Sequence, residues 1–331
     1  MPDTRLDIIA IGNAIVDVIA QADEAFIAAE GIAKGSMRLI DTETATSLYG
    51  RMAPGIEASG GSAANTVAGA AALGARCGFI GQVAKDQLGE VFAHDVRALG
   101  VDFDTPSREG EPPTARCLIL VTPDGQRTMN TFLGASQFLP PQAIDADRIA
   151  SAAILYLEGY LWDPEEPRAA MRAAIDIAKK AGRKVAFTLS DAFCIERHRD
   201  DFNSMIANGD IDILFANEAE ILSLNQTGDF DAAVAATAGR VECLVVTRSE
   251  KGAIAIQQGE RCAVPAEPID HVVDTTGAGD LFAAGFLVGR AHGRSLADSL
   301  TMGAVAAAEV ISHYGARPVA DLRALVAKRL G

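Results

Sequence analysis

The chain has 331 residues, 49% of them hydrophobic, and its formal net charge is -15 at pH 7. A chain of this length and apolar content can bury a sizeable core in one large α/β domain or two smaller ones, which excludes a disordered protein. The negative field repels nucleic acid and anionic membrane surfaces, so we expect neither as a partner.

At the start of the chain, the stretch "MPDTRLDIIAIG" lacks the basic flank and the cleavage site of a secretory signal. No apolar run in the chain reaches the roughly 18 residues that span a bilayer, so we expect a soluble, cytoplasmic protein. The end of the stretch, Leu6 to Gly12, is rich in β-branched residues and predicts the first strand.

Short apolar runs alternate with helical patterns along the rest of the chain. The pattern predicts a helix from Glu165 to Gly182 and another that ends at Gly239 as a C-cap residue. Further strands are predicted at "CGFIGQV", "ARCLILVT", "AILYLEGY", "KVAFTLS", "DILFAN" and "CLVVTR". This alternation implies right-handed βαβ units, so the predicted fold class is α/β, with a doubly wound, mainly parallel sheet flanked by helices.

Two segments, 15–40 and 112–133, interrupt the alternation with strand-like runs that have little helical periodicity. The sequence "TPDG" from Thr122 to Gly125 predicts a turn that joins two of these strands as a hairpin. We expect the two segments to pair into a small β-sheet lid over the main sheet. No linker or repeat divides the chain, so a single domain over 1–331 is expected.

The stretch "DTTGAGD" carries the clearest chemical signal. Gly277, Ala278 and Gly279 allow backbone N–H groups to lie close together at the start of a helix, where the helix dipole favours an anion. Asp280 beside this anion hole can accept the proton of an attacking hydroxyl, as phosphoryl transfer requires. A carboxylate that only stabilises the first helical turn is the alternative, but it does not need the glycines.

This stretch, extended to "DTTGAGDLFAAGFL", and the upstream "GGSAANTVAGAAALG" resemble the two signature motifs of the ribokinase, or PfkB, family of carbohydrate and nucleoside kinases. The motifs follow the family's order, and the resemblance covers essentially the whole chain. It implies a ribokinase-like sheet with a β-lid, ATP as phosphoryl donor, Mg²⁺, and Asp280 as general base over the Gly277 to Gly279 anion hole. The expected partners are then a nucleoside and ATP, bound by a monomer or a homodimer.

Within the family the acceptor is recognised near the first strand and the lid. Asn13 and Asp17 have the Asn-xxx-Asp spacing of the adenosine kinase branch; an Asn turn with a capping Asp is the alternative from the residues alone. The resemblance implies that Gly60 and Gly61 approach a ribose and that Asn65 hydrogen-bonds its hydroxyls. A glycine turn before an alanine-rich core helix is the alternative for these three residues.

Two lid residues belong to the same predicted site. Arg127 resembles the family's lid arginine, which reaches the active site and stabilises the transferring phosphate; an exposed hairpin arginine is the alternative. Phe132, with Leu133, could close over an apolar base and exclude water.

On the donor side, Asn217 and Glu220 form the NxxE pattern in "ANEAE". Because Mg²⁺ prefers hard oxygen ligands and keeps most of its waters, we expect Glu220 to act through water, with a glutamate-rich helix start as the alternative. Thr247, Ser249 and Gly252 in "VVTRSEKG" resemble the family's contacts to the phosphates and ribose of ATP.

Members of the family commonly respond to a monovalent cation such as K⁺, held by a loop that includes the equivalents of Asp274 and Thr276, and the sequence leaves open whether this chain does. The five cysteines and five histidines are isolated, which disfavours a zinc site and a disulfide framework. Neither a GxxxxGK(S/T) loop nor GxGxxG after the first strand occurs, which disfavours a P-loop NTPase and an NAD-dependent dehydrogenase. The alternative functions are a sugar kinase of the ribose or fructose type, an inosine or guanosine kinase of the same family, and a non-catalytic nucleoside-binding regulator.

Overall fold

The computed structural model of the chain describes residues 4–331. The first three residues, which belong to the stretch without signal features, lie outside the described residues. The strands are β1 (Leu6–Ile11), β2 (Ile15–Gln21), β3 (Met37–Leu39), β4 (Ile56–Gly60), β5 (Cys77–Ile80), β6 (Val101–Phe103), β7 (Ala115–Val121), β8 (Arg127–Phe132), β9 (Ala152–Glu158), β10 (Lys184–Thr188), β11 (Ile213–Asn217), β12 (Cys243–Thr247), β13 (Ala253–Gln257) and β14 (Glu260–Val264).

The α-helices are α1 (Glu24–Ala29), α2 (Thr42–Arg51), α3 (Ser62–Ala72), α4 (Gln87–Ala98), α5 (Ala146–Ala150), α6 (Glu165–Lys180), α7 (Ala192–Asn208), α8 (Glu218–Asn225), α9 (Phe230–Ala238), α10 (Ala278–Ala291), α11 (Leu296–Val310) and α12 (Leu322–Leu330). Short 3-10 helices lie at Gly134–Phe138, Pro141–Ala143, Gly159–Trp162 and Ser249–Lys251. Among the described helices, none is long and apolar enough to cross a membrane.

The main sheet has the strand order β14-β13-β12-β11-β10-β9-β1-β5-β6. All neighbours from β12 to β6 pair in parallel, and β13 and β14 add an antiparallel edge. The order reverses between β1 and β9, which is the topological switch point where ligands bind in such sheets. The predicted fold class is therefore confirmed.

Both faces of the main sheet are covered, as the apolar runs require. Along β1, Ile8 and Ala10 belong to one buried cluster, which includes residues of α3 and α10. Ile9 and Ile11 belong to a second cluster on the opposite face, which includes residues of α6 and α7. Successive strand residues point to opposite faces, so a strand that is buried on both faces is apolar throughout.

A second sheet has the order β3-β8-β7-β2-β4. The predicted hairpin is confirmed: β7 and β8 are antiparallel, and the Gly125 N–H donates to the Thr122 carbonyl oxygen at 2.8 Å. Strand β4 lies outside the two segments predicted to form this sheet. The prediction of little helix in 15–40 is wrong at α1, a six-residue helix that is too short for periodicity to reveal and is capped by Asp23.

The packing of α3 against α10 places the site. A Cβ atom at Gly69 of α3 would lie 2.3 Å from Cδ1 of Leu281 in α10, so a side chain there would force Leu281 to move, and glycine permits the close approach as it stands. The first residues of the two helices consequently meet: Ser62 of α3 hydrogen-bonds Asp280 of α10. The two sequence motifs, far apart in the chain, therefore form one site.

Candidate active site

Asp280 lies in the first turn of α10, where its carboxylate is held from two sides. The Ser62 hydroxyl donates to Oδ1 at 2.7 Å, and Nδ2 of Asn65 donates to Oδ2 at 2.9 Å. Burial raises the pKa of Asp280, while these two hydrogen bonds and the nearby Arg317 oppose the rise. The carboxylate is therefore fixed in position and more basic than a solvated aspartate.

The N-terminus of α10 is open. Gly277 is its N-cap residue, with φ of 79° and no side-chain cap. The backbone N–H groups of Gly277, Gly279 and Asp280 donate to no acceptor within residues 4–331. A Cβ atom at Gly279 would meet nothing within 4 Å, whereas one at Gly277 would lie 2.7 Å from the Cβ atom of Ala316. Unpaired N–H groups beside open space form a site for an anion.

A cavity of about 860 Å³ extends from this helix start. Its volume suits a small organic ligand. The sequence-predicted residues that line it are Asn217, Glu220, Thr247, Ser249, Gly252, Thr276, Gly277, Ala278, Gly279 and Asp280. The structure therefore brings the predicted donor-side residues and the predicted base to a single cavity. Tyr156 and Phe282, which the sequence analysis did not select, supply aromatic walls.

Asn217 and Glu220 form a reciprocal capping box at the start of α8. Oδ1 of Asn217 accepts from the Glu220 N–H at 2.8 Å, and the two Glu220 oxygens accept from N and Nδ2 of Asn217 at 3.0 and 2.5 Å. Burial raises the pKa of Glu220 to about 7. The NxxE pattern therefore has a structural role here, and the metal contact through water stays a prediction.

The described part of the chain has no group of three or more His, Cys, Asp or Glu side chains that could bind a metal ion directly. A Mg²⁺ ion that is bound mainly by nucleotide phosphates and water needs few protein ligands. The structure is thus compatible with an outer-shell role for Glu220.

Asp17 lies in β2 and is not among the residues that line the cavity. Its carboxylate accepts no hydrogen bond from any of the residues 4–331, and a Cβ atom at Gly60 would lie 2.4 Å from its Oδ2 atom. Burial raises the pKa of Asp17 to about 6, and the positive charges of Arg317 and Arg127 counteract part of the rise. This carboxylate is available for a ligand, and Gly60 provides the space beside it.

Asn13 has partners inside the protein. Its backbone N–H and its Nδ2 both donate to Oε1 of Glu158 at 2.7 Å, and its Oδ1 accepts from Ser136 at 2.8 Å. Only 3% of Asn13 is exposed. Gly61, at φ of 99°, passes so close that a Cβ atom would lie 2.2 Å from the Asn13 carbonyl oxygen. The structure gives Asn13 a positioning role, and its predicted contact with the acceptor stays a prediction.

Glu158 was not selected from the sequence. It ends β9 and is completely buried, and its Oε2 accepts the N–H of Ala63 in the first turn of α3 at 2.7 Å. Burial raises the pKa of Glu158 to about 7. Its signal in the sequence is a glutamate that ends an apolar strand, at the sheet edge where ligands bind.

Arg317 was also missed, because it lies outside both motifs. Its Nη1 donates to Oδ1 of Asn65 at 2.7 Å, and its Nη2 donates to the hydroxyl of Ser59 at 2.8 Å. Since Oδ1 of Asn65 accepts from Arg317, Nδ2 of Asn65 faces Asp280. Asn65, predicted to bind ribose hydroxyls, is thus held between Arg317 and Asp280, and its contact with a ribose stays a prediction.

Arg127 is buried against the "DTTGAGD" loop, so the exposed alternative does not describe it. Its Nη1 lies 2.6 Å from Oδ2 of Asp274, and these side chains are 8% and 6% exposed. Its guanidinium lies 5.3 Å from the ring centre of Tyr314, while Nε and Nη2 are buried without a hydrogen-bond partner. Thr276, the other residue of the predicted cation loop, donates its N–H and hydroxyl to Oδ1 of Asp274 at 3.0 and 2.8 Å.

Phe132 is not among the residues that line the cavity. It is 6% exposed, and its ring centre lies 5.9 Å from the guanidinium of Arg116 in the neighbouring strand. Its packing belongs to the small sheet, and closure of this ring over an apolar base stays a prediction.

The sequence pattern described as pfkB family carbohydrate kinase matches residues 7–322. The adenosine kinase of Sinorhizobium meliloti is 48% identical, with a TM-score of 0.91, and the alignment covers 99% of this chain and 100% of that one. A "probable sugar kinase protein" of Rhizobium etli CFN 42 is also 48% identical, with a TM-score of 0.91 and coverage of 98% and 99%. A fructokinase of Klebsiella pneumoniae is 30% identical over 72% of this chain and 79% of its own length.

Proposed function

The chain belongs to the pfkB family of carbohydrate kinases, which are phosphotransferases that act on hydroxyl groups, and within this family we propose that it is an adenosine kinase. The proposed reaction transfers the γ-phosphoryl group of ATP to the ribose 5′-hydroxyl of adenosine and yields AMP and ADP. The likeness to the Sinorhizobium meliloti adenosine kinase over 99% of this chain supports the choice of acceptor.

The observation that carries the proposed chemistry is the carboxylate of Asp280 beside unpaired backbone N–H groups. As the acceptor oxygen bonds to phosphorus and the bond to the ADP oxygen breaks, the hydroxyl proton passes to Asp280. The N–H groups of Gly277 and Gly279 stabilise the negative charge of the transferring group. Ser62 and Asn65 keep the carboxylate aimed at the acceptor.

ATP and Mg²⁺ are the proposed donor and cofactor. The cavity has open space at Gly279, where a Cβ atom would meet nothing within 4 Å. A phosphate group of ATP would fit in this space, beside the unpaired N–H groups. Thr247, Ser249 and Gly252 would contact its phosphates and ribose, and Glu220 with Asn217 would reach Mg²⁺ through water. When bound, Mg²⁺ neutralises part of the phosphate charge.

Asp17 is the proposed partner of the ribose hydroxyls, since its carboxylate has no donor of its own in the described chain and lies near two positive charges. Asn13 and Gly61 would shape this side of the site, and Arg127 would offer its unpaired N–H groups to the phosphoryl group. We further propose that the whole chain is one domain in which the small sheet acts as a lid.

A sugar kinase is the second candidate, because a fructokinase is 30% identical to this chain. The deciding experiment measures ADP release from Mg·ATP with adenosine, inosine, guanosine, ribose and fructose. We expect the highest kcat/KM with adenosine. A higher value with ribose or fructose would replace the proposed acceptor and keep the phosphoryl transfer, whereas tight adenosine binding without ADP release would favour a regulator.

A further inference from the structure

The carboxylate of Asp274, where the family resemblance implies a monovalent cation, is fully engaged by groups of this chain. Its Oδ1 accepts from the N–H and the hydroxyl of Thr276 at 3.0 and 2.8 Å. Its Oδ2 accepts from the N–H of Gly315 at 3.0 Å and is paired with Nη1 of Arg127 at 2.6 Å. A carboxylate offers about four acceptor sites, so these four donors fill it. The residues present therefore do not fit an alkali cation.

The charge at this position leads to the same conclusion. The Arg127 guanidinium and the Asp274 carboxylate are each less than one-tenth exposed, so water screens them poorly. A K⁺ ion on the same carboxylate would be repelled by the guanidinium and would also face the N–H groups of Thr276 and Gly315. The compensating positive charge that this carboxylate needs is already present.

We propose that the guanidinium of Arg127 takes the place of the monovalent cation at Asp274, so that this chain needs no K⁺. Arg127 begins β8 of the small sheet, whereas Asp274 and Thr276 lead directly into Gly277. The cation that orders the anion-hole loop is therefore delivered by the small sheet and not by the solvent. Two nitrogens of the same guanidinium, Nε and Nη2, remain unpaired.

The first test compares the wild-type protein in chloride salts of K⁺, Na⁺ and tetramethylammonium at constant ionic strength. We expect equal rates of ADP release with the preferred acceptor and, without substrates, equal melting temperatures. Activation by K⁺ of about fivefold or more, or a rise in melting temperature of about 2 °C specific to K⁺, overturns the proposal.

The second test removes the guanidinium. In Arg127→Ala, Oδ2 of Asp274 loses its charged partner, so we expect K⁺ to raise the melting temperature by about 2 °C over tetramethylammonium. Arg127→Gln keeps most of the side chain and guards against loss of folding. Arg38→Ala is the matched control, because Arg38 lies in the same sheet and bonds Asn130 instead. No response to K⁺ in either Arg127 variant overturns the proposal.

The activity readout rests on the proposed function, but the melting temperatures do not. If no acceptor yields ADP, the kinase proposal fails, and the comparison of wild type with Arg127→Ala in K⁺ still decides the inference. If ADP is released and K⁺ activates the wild type, the kinase proposal stands and the inference fails.

Discussion

Two helix starts in the same cavity, those of α10 and α8, are built in opposite ways. At α8, Asn217 and Glu220 close the helix start with reciprocal hydrogen bonds. At α10, Gly277 provides no side-chain cap, and although the Ala278 N–H donates to the Thr275 carbonyl oxygen, the N–H groups of Gly277, Gly279 and Asp280 have no acceptor in the part of the chain that the structure describes. Because helix starts are normally capped, an open one beside a fixed carboxylate indicates a place kept for a ligand.

The start of α3 is intermediate between these two cases. Its N-cap residue, Gly61, makes no side-chain cap hydrogen bond, but Glu158 from β9 accepts the N–H of Ala63. The main sheet therefore closes this helix start. Open and closed helix starts lie within one site, and variants at each of them should have different consequences.

Asp280→Asn should have the largest effect. The amide cannot accept the hydroxyl proton, so we expect kcat to fall by about 1,000-fold with little change in acceptor affinity. Asp298→Asn, in the first turn of α11, is the matched control for a carboxylate that only stabilises a helix start. Steady-state ADP release measures both. Near-normal turnover in Asp280→Asn would mean that Asp280 is not the base.

The pH profile of the wild type refines this assignment. Burial raises the pKa of Asp280, so the base becomes protonated at a higher pH than a solvated aspartate. We expect kcat/KM to decline as pH falls through this raised pKa. An acid limb that is unchanged in Asp280→Asn would assign the titration to another group.

Gly279→Ala tests the openness of α10. The added methyl group meets no atom within 4 Å and should project into the cavity, where we expect it to displace the phosphate and lower kcat/KM for ATP by about 100-fold. Because alanine favours the helix, the free energy of unfolding should stay equal or rise by about 0.5 kcal/mol. Gly239→Ala, also in open space, is the control and should leave the rate unchanged. Unaltered ATP kinetics in Gly279→Ala would show that the phosphate does not bind at this position.

Glu158→Gln tests the helix start that the sheet closes. Burial raises the pKa of Glu158 from 4.5 to about 7, so the folded state binds an extra proton between these values and loses about 3 kcal/mol of stability as pH rises through this window. Glutamine does not ionise, so the part of the slope that Glu158 causes should vanish, while Glu220 and Asp17, whose pKa values burial also raises, still contribute. The glutamine NH2 group would face a donor of either Asn13 or Ala63. Urea unfolding at pH 5 and pH 7.5 measures the slope, and the exposed Glu43→Gln is the control. An unchanged slope would show that another group causes it.

Asn217→Ala should have the smallest effect. It removes the cap of α8, and we expect a loss of about 1 to 2 kcal/mol in the free energy of unfolding. If capping is the main role of Asn217, KM for Mg·ATP should change by less than about threefold. Asp229→Ala, which uncaps α9, is the matched control. A tenfold rise in KM without loss of stability would instead show that Asn217 acts on Mg·ATP.

The local features of the fold could be predicted from the sequence because neighbouring residues encode them. Apolar runs predicted the parallel strands, "TPDG" predicted the β7–β8 hairpin, and the glycines before Asp280 predicted the open start of α10. The NxxE pattern showed the limit of such reasoning, since the same residues are typical both of a capping box and of the family's donor site. Only the hydrogen bonds of Asn217 and Glu220 showed that the capping box forms.

By itself, then, the sequence determined the α/β class and the two motifs and predicted Asp280 as the base, each of which depends on residues close together in the chain. The tertiary structure alone decided which charges meet. Arg317 contacts Asn65 across 252 positions, Glu158 contacts Ala63 across 95, and Arg127 lies on Asp274. Periodicity and spacing report only local order, whereas a buried charge finds its partner through the packing of helices and sheets around it.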